Sequence, residues 1–156
     1  MNPDGRSAAP RAAEDDIAKI DFDVLQDYLG LALYRALTAL RRDFTVALAD
    51  SGVRPVAFNV LVLVGANPGI TQARLAGALS LDKGTLTNLI KDFEQRGWVE
   101  SAVRSDDRRS KGVFLSPEGV RALLPLKSAV KSHMQGVDGI FTDSERQQLL
   151  ELLRRI

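Results

Sequence analysis

Lys83, Gly84, Thr85, Thr87, Asn88 and Lys91 lie close together and combine ammonium, hydroxyl and amide groups with the least bulky of residues. Helical spacing puts Gly84, Thr87, Asn88, Lys91 and Gln95 on one face, with Lys83 and Thr85 in the first turn. The chemistry open to such a face is recognition. An Asn amide can bond adenine N6 and N7, a Lys ammonium can reach guanine O6 and N7, and a Thr methyl can touch that of thymine. Gly84 costs a helix about 1 kcal/mol against Ala, and close approach to a phosphate backbone is one reason to keep it. An ordinary solvated helix face with one poor residue is the alternative reading of these positions taken alone.

A second cluster follows at once. Arg104, Arg108, Arg109 and Lys111, with the adjacent Asp106 and Asp107, fill a loop between the short apolar runs 98–103 and 112–115. Arginines at the apex of a hairpin can enter a minor groove, where the negative potential is enhanced. Asp107 can hold Arg109 by a charge-assisted pair. Asp106 offers a second register of the same kind, so which arginine leads stays open. A hydrated charged loop is the bland alternative, and its place directly after the helix argues against it. Arg74, Arg104 and Lys111 suit phosphate contacts.

The elements that must position these groups are legible from punctuation and periodicity. Leu25, Leu29, Leu33, Leu37, Leu40, Phe44 and Leu48 recur at spacings of three and four, which predicts one long helix from Phe22 to Asp50. Ser51-Gly52 stops it, and Pro55 opens a second helix through Ala66 that is apolar almost all round. Thr71 caps a third helix ending at Leu79, and Asp82 caps a fourth over Lys83–Arg96, closed by Gly97. In that fourth helix Leu86, Leu89, Ile90 and Phe93 form the buried stripe. Ser116-Pro117-Glu118 starts a fifth, and Thr142 to Glu145 is a capping box for a sixth. Helix, turn, helix and basic hairpin in this order predict a winged helix-turn-helix.

Composition narrows the function. The 156 residues suit one domain or a compact unit with a small sub-domain, and residues 1–16 read as a disordered tail without the apolar stretch of a signal peptide. No apolar run is long enough to cross a bilayer, so a cytoplasmic protein without membrane contact is expected. With no cysteine and His133 as the only histidine, thiolate or imidazole metal sites, redox switching and Ser-His-Asp chemistry are not expected, nor is any cofactor. Enzyme activity is the most distant of three readings. The net charge of +1 hides an uneven distribution: 6 Lys and Arg against 9 Asp and Glu in residues 1–53, 9 against 6 in 54–115, and 6 against 5 in 116–156. The basic excess in the middle third is small, so placement must carry the case.

The runs Gly69 to Ala76, Leu81 to Ile90, Arg96 to Val99, Asp107 to Ser110 and Leu115 to Gly119 resemble the MarR family of bacterial transcriptional regulators. The resemblance spans about residues 22–156. Trp98 stands where an aliphatic residue is more usual, and Ser116-Pro117 where threonine is commoner. It implies a mainly α fold, with a winged helix-turn-helix lobe over 53–116 and a helical dimerisation region built from 17–52 and 117–156. It further implies a homodimer on a palindromic double-stranded DNA operator, acting as a repressor. The long apolar helices at both ends agree, because a small winged lobe cannot cover them. Family members commonly hold an anionic effector, often an aromatic acid or its thioester. Tyr28, Tyr34, Arg35, Arg42 and Phe58 are the candidates for it here. Core packing is the alternative for Phe58 and Tyr28, and solvation or the dimer interface for the arginines. From a different class, a winged-helix protein–protein interaction module without DNA binding is the rival, though it would have no need of paired arginines at its wing.

Overall fold

The computed structural model describes residues 20–103 and 111–156, with the backbone alone for Val137 and Asp138. The wing residues Arg104, Asp107, Arg108 and Arg109 lie outside the described residues. The helices are α1 (Leu29–Ala47), α2 (Pro55–Ala66), α3 (Gln72–Leu79), α4 (Lys83–Gln95), α5 (Pro117–Asp138) and α6 (Asp143–Leu153). The strands are β1 (Ile70–Thr71), β2 (Val99–Val103) and β3 (Lys111–Leu115), in the order β1-β3-β2, all antiparallel. The fold is thus mainly helical with a small winged sheet. By packing the chain divides into two compact units, Met1–Ala39 and Leu40–Ile156.

In the first unit, the single helix expected from Phe22 is interrupted. Asp21 Oδ1 accepts the amide of Asp23 at 2.8 Å, and Asp23 takes a left-handed φ of 48°. A carboxylate that captures a neighbouring amide competes with the helical ladder. The result is a 3-10 turn over Asp23–Asp27 and an extended Tyr28 (φ −90°, ψ 120°) before α1 begins. The apolar stripe persists through this break, but Leu25, Leu29 and Leu37 are exposed.

The second unit holds the core. Leu48 and Val53 join Val60, Leu61 and Val64 of α2, Leu75 of α3, Leu86, Leu89, Ile90 and Phe93 of α4, Val99 and Val113 of the sheet, and Leu123 and Leu126 of α5. The all-round apolar character of α2 follows from this, because α3, α5 and β3 pack around it. Its chain enters through a 3-10 turn, Ala49–Ser51, whose Ser51 hydroxyl donates to the Leu48 carbonyl at 2.6 Å, and through Gly52 at φ +65°. Helix α6 exposes Leu149, Leu150, Leu152 and Leu153. Among the described residues no helix is long and apolar enough to cross a membrane.

The sheet carries an element that the sequence does not advertise. β1 is only two residues long and pairs Ile70 with Val113 and Thr71 with Gly112. A Cβ on Gly112 would come within 2.6 Å of the Gly69 carbonyl oxygen, so this pairing needs a bare backbone. A second close approach joins α5 to the end of α4. The Ser116 amide donates to the Trp98 carbonyl at 3.0 Å, and its buried hydroxyl donates to the Gly97 carbonyl at 2.5 Å while accepting the Gly119 amide at 2.9 Å. A Cβ on Gly119 would fall inside the Trp98 carbonyl oxygen.

Gly119→Ala should therefore cost about 2–3 kcal/mol of unfolding free energy, as overpacking against rigid backbone does. Gly77→Ala, in α3 with nothing near its missing Cβ, should instead gain up to about 1 kcal/mol. Denaturant titration of both variants checks the contrast. The helix caps add a pH dependence. Hydrogen bonds from the Thr85 hydroxyl and amide hold the Asp82 carboxyl below its ordinary 3.8. The amide and hydroxyl of Thr142 hold Glu145 below its ordinary 4.5. A depressed carboxyl stabilises the fold fully above its unfolded value, and that contribution is lost as pH falls through the lower folded value. Hydrogen exchange followed on acidification should show the Thr85 and Thr142 amides, which donate to these carboxylates, losing protection below these ordinary values.

Candidate nucleic-acid interface

α4 is amphipathic in the sense the sequence predicts. Leu86, Leu89, Ile90 and Phe93 are buried, Lys83, Gly84, Asn88 and Lys91 are exposed, and Thr85 and Thr87 are half-buried. Its N-terminus is fixed by Asp82, whose Oδ1 accepts the Thr85 amide at 2.8 Å and whose Oδ2 accepts the Thr85 hydroxyl at 2.6 Å. A Cβ on Gly84 would lie 3.2 Å from Asp82 Oδ1, so glycine here leaves the capping carboxylate undisturbed. The Thr87 hydroxyl donates to the Lys83 carbonyl at 2.7 Å.

The other end of α4 is tied to the sheet. Trp98 stacks on Phe93 with ring centroids 6.0 Å apart, and the Arg96 guanidinium lies 5.0 Å over the Trp98 ring. Arg96 also pairs with Asp92 at 2.9 Å. The Ser101 hydroxyl of β2 donates to Glu94 Oε1 at 2.6 Å. Two of the three carboxylates on or beside the exposed face are thus engaged with partners on α4 and β2, and the third, Asp82, is occupied by Thr85. The cations at Lys83 and Lys91 face solvent beside them.

α3 brings Arg74 to the surface, its own amide donating to the capping Thr71 hydroxyl at 3.3 Å. Lys83 and Gln72 line one small cleft of about 320 Å³ with Ala73, Ala76 and Leu86. Gln72 is a polar group at the interface that the sequence reading passed over. Its signal was its place just after the Thr71 cap, at the head of the first helix of the pair. Lys111 is exposed at the start of β3, opposite Val103. The described part of the site thus brings together residues from α3 and α4. Whether Asp107 orients an arginine concerns residues outside the described ones.

The five effector candidates fall in both units, Tyr28, Tyr34 and Arg35 in the first and Arg42 and Phe58 in the second. Tyr28 and Tyr34 are 57% and 67% exposed, and the Arg35 guanidinium lies 5.0 Å over the Phe22 ring. Arg42 Nε is 3.8 Å from Asp43. Phe58 is 8% exposed and meets Phe44 edge-on with centroids 5.5 Å apart. A cleft of about 270 Å³ opens instead between the head of α2 and the outer half of α4, lined by Arg54, Asn88, Asp92 and Arg96. None of the five candidates lines it. Its polar lining comes from residues far apart in sequence, which periodicity cannot join.

Known proteins share this architecture. A profile of the MarR family matches residues 51–110. A protein assigned to transcriptional regulation of the hcr operon in Thauera aromatica is 29% identical over 147 residues, covering 94% of this chain and 89% of that one. The transcriptional repressor CouR bound to a 23-mer DNA duplex superposes with a TM-score of 0.80 at 28% identity, over 88% of this chain and 97% of that chain. CouR from Rhodococcus jostii RHA1 bound to p-coumaroyl-CoA gives 0.78 at 27% identity, over 83% and 92%. Both superpositions span more than four fifths of this chain. Residues 51–110 thus carry the MarR-family pattern, within a chain similar to these regulators over most of its length.

Proposed function

We propose that this protein is a dimeric DNA-binding transcriptional regulator, a repressor that leaves its operator when a small organic anion binds. The observation that carries the reading is the exposed face of α4, where Lys83, Thr85, Thr87, Asn88 and Lys91 offer cations, an amide and methyl groups at helical spacing. A helix with that face fits a major groove. The structural likeness to CouR on a DNA duplex supports it. A two-fold dimer is supported by the apolar side chains left exposed on α6 and on the segment before α1. It would present two copies of α4 to a palindromic site. The anionic effector, of the aromatic-acid or acyl-CoA type, is supported by the likeness to CouR bound to p-coumaroyl-CoA. Arg35 and Arg42, both exposed, supply positive charge for it. The effector acts only through a higher affinity for the DNA-incompetent state than for the competent one.

A gel shift with the DNA upstream of its own gene and of neighbouring genes tests the core of this reading. A discrete complex at physiological salt is expected, dispersed by an aromatic carboxylate or its CoA thioester. Binding no tighter than to random DNA would refute it. The roles of single residues separate by their sequence dependence. Asn88→Ala should cost about 1–3 kcal/mol on the operator and little on random DNA. Lys111→Ala should weaken both alike and lower the slope of log K against log salt by about one. Equal losses on operator and random DNA for Asn88→Ala would remove that residue from base recognition.

A further inference from the structure

Both threonines of α4, half-buried beside its exposed face, have already spent their hydroxyl protons. Thr85 Oγ1 donates to Asp82 Oδ2 at 2.6 Å and Thr87 Oγ1 donates to the Lys83 carbonyl at 2.7 Å. A hydroxyl has one proton and two lone pairs, so each threonine is left with acceptor sites and a methyl group. The acceptor at Asp82 holds its proton firmly. Its carboxyl lies below the ordinary range, with the Thr85 hydroxyl as the largest cause, so it stays ionised and purely accepting at neutral pH. An ionised Asp82 also repels a phosphate that would compete for the same proton.

We propose that Thr85 is a specificity-determining residue whose hydroxyl, turned into a pure acceptor by Asp82, excludes guanine from the contacted strand of the operator. The proposal rests on the DNA-binding reading and sharpens it. In the major groove guanine shows only the acceptors N7 and O6, whereas adenine and cytosine offer amino donors and thymine a methyl group. An acceptor paired with a methyl therefore accommodates adenine, cytosine or thymine and meets guanine lone pair to lone pair. The same logic removes Thr85 from phosphate binding, since a phosphate oxygen also needs a donor. Asp82 is then a positioning residue: it touches no base, and it fixes the polarity of the group that does.

The decisive variant is Asp82→Asn. Asparagine caps a helix as well as aspartate, so α4 keeps its start. Its Oδ1 still accepts the Thr85 amide, but its Nδ2 now donates to Thr85 Oγ1 and releases the hydroxyl proton toward the groove. Wild type, Asp82→Asn and Thr85→Val, each as the full chain, are used to select duplexes from a randomised pool, with thermal midpoints recorded beside each selection. Because loss of the Asp82 charge strengthens binding to all DNA, the readout is the ratio among bases at each position. The wild-type consensus should exclude guanine at one position in each half-site. Asp82→Asn should admit guanine there, its share rising roughly tenfold against the other bases, on the scale of one base contact. Thr85→Val, which removes the repelling lone pairs but still offers guanine no donor, should ease the exclusion less than Asp82→Asn does. Thr87, untouched by either change, serves as the internal reference. An Asp82→Asn consensus identical to wild type, or guanine admitted by Thr85→Val as freely as by Asp82→Asn, overturns the role of Thr85 alone. Failure of the wild type to enrich any sequence overturns the DNA-binding reading beneath it.

Discussion

The junction at Trp98 fixes where everything else can point. Its amide donates to the Phe93 carbonyl at 2.8 Å, closing the end of α4, and its carbonyl accepts the Ser116 amide from the start of α5. The Ser116 hydroxyl takes the neighbouring Gly97 carbonyl, and Gly119 lets the first turn of α5 lie directly on the Trp98 backbone. Gly97 itself stands at φ +68°, a left-handed turn that lets the chain leave the helix and enter β2 at once. Three elements meet here through backbone atoms, and backbone contacts tolerate almost no displacement. A buried hydroxyl with both donor and acceptor capacity used adds rigidity that an apolar residue could not.

That rigidity matters because the charge on the lobe is modest. A strongly basic surface can bind DNA by counterion release in many registers. Here Asp92 and Glu94 on α4 are paired with Arg96 and Ser101, and Asp82 with Thr85. In the proposed complex, attraction to phosphates from the described part of the site rests on Arg74, Lys83, Lys91 and Lys111. On the proposed DNA-binding reading, discrimination comes from base edges, which demand a helix held to within a fraction of an ångström. The Asp82 cap at one end of α4 and the Trp98 junction at the other are the two fixed points of that reading head.

Much of this was legible in residues alone, and the exceptions have physical causes. The six helices follow from caps that work locally: Thr71, Asp82 and Thr142 each accept an amide three residues on, as their types predict. The buried stripe of α4 follows from its period. The break at Tyr28 was hidden because Asp21 and Asp23 leave the apolar spacing intact while diverting one amide. β1 was hidden because two residues cannot display an alternation, and its existence depends on β3 some forty positions away. On α4, side-chain types pointed to the face that is exposed, but not to which protons were already committed. Gly84 is an instance. Phosphate approach was the reason available from sequence, whereas the structure places the Asp82 carboxylate at the position a Cβ would crowd. Gly119 and Ser116 carried the family pattern without a reason, since the reason is the carbonyl of Trp98.

The same junction decides how a signal can reach α4. α5 begins at Ser116 and Gly119, contributes Leu123 and Leu126 to the core, and continues to Asp138 beyond it. A helix transmits displacement along its axis without much deformation, and its first turn here has no slack against Trp98. Any ligand or partner that prefers a shifted α5 therefore shifts the end of α4 with it, or has to break two hydrogen bonds of Ser116 first. The core between them resists continuous adjustment because close packing leaves few intermediate arrangements. A response of this lobe is accordingly a change between discrete placements of α4.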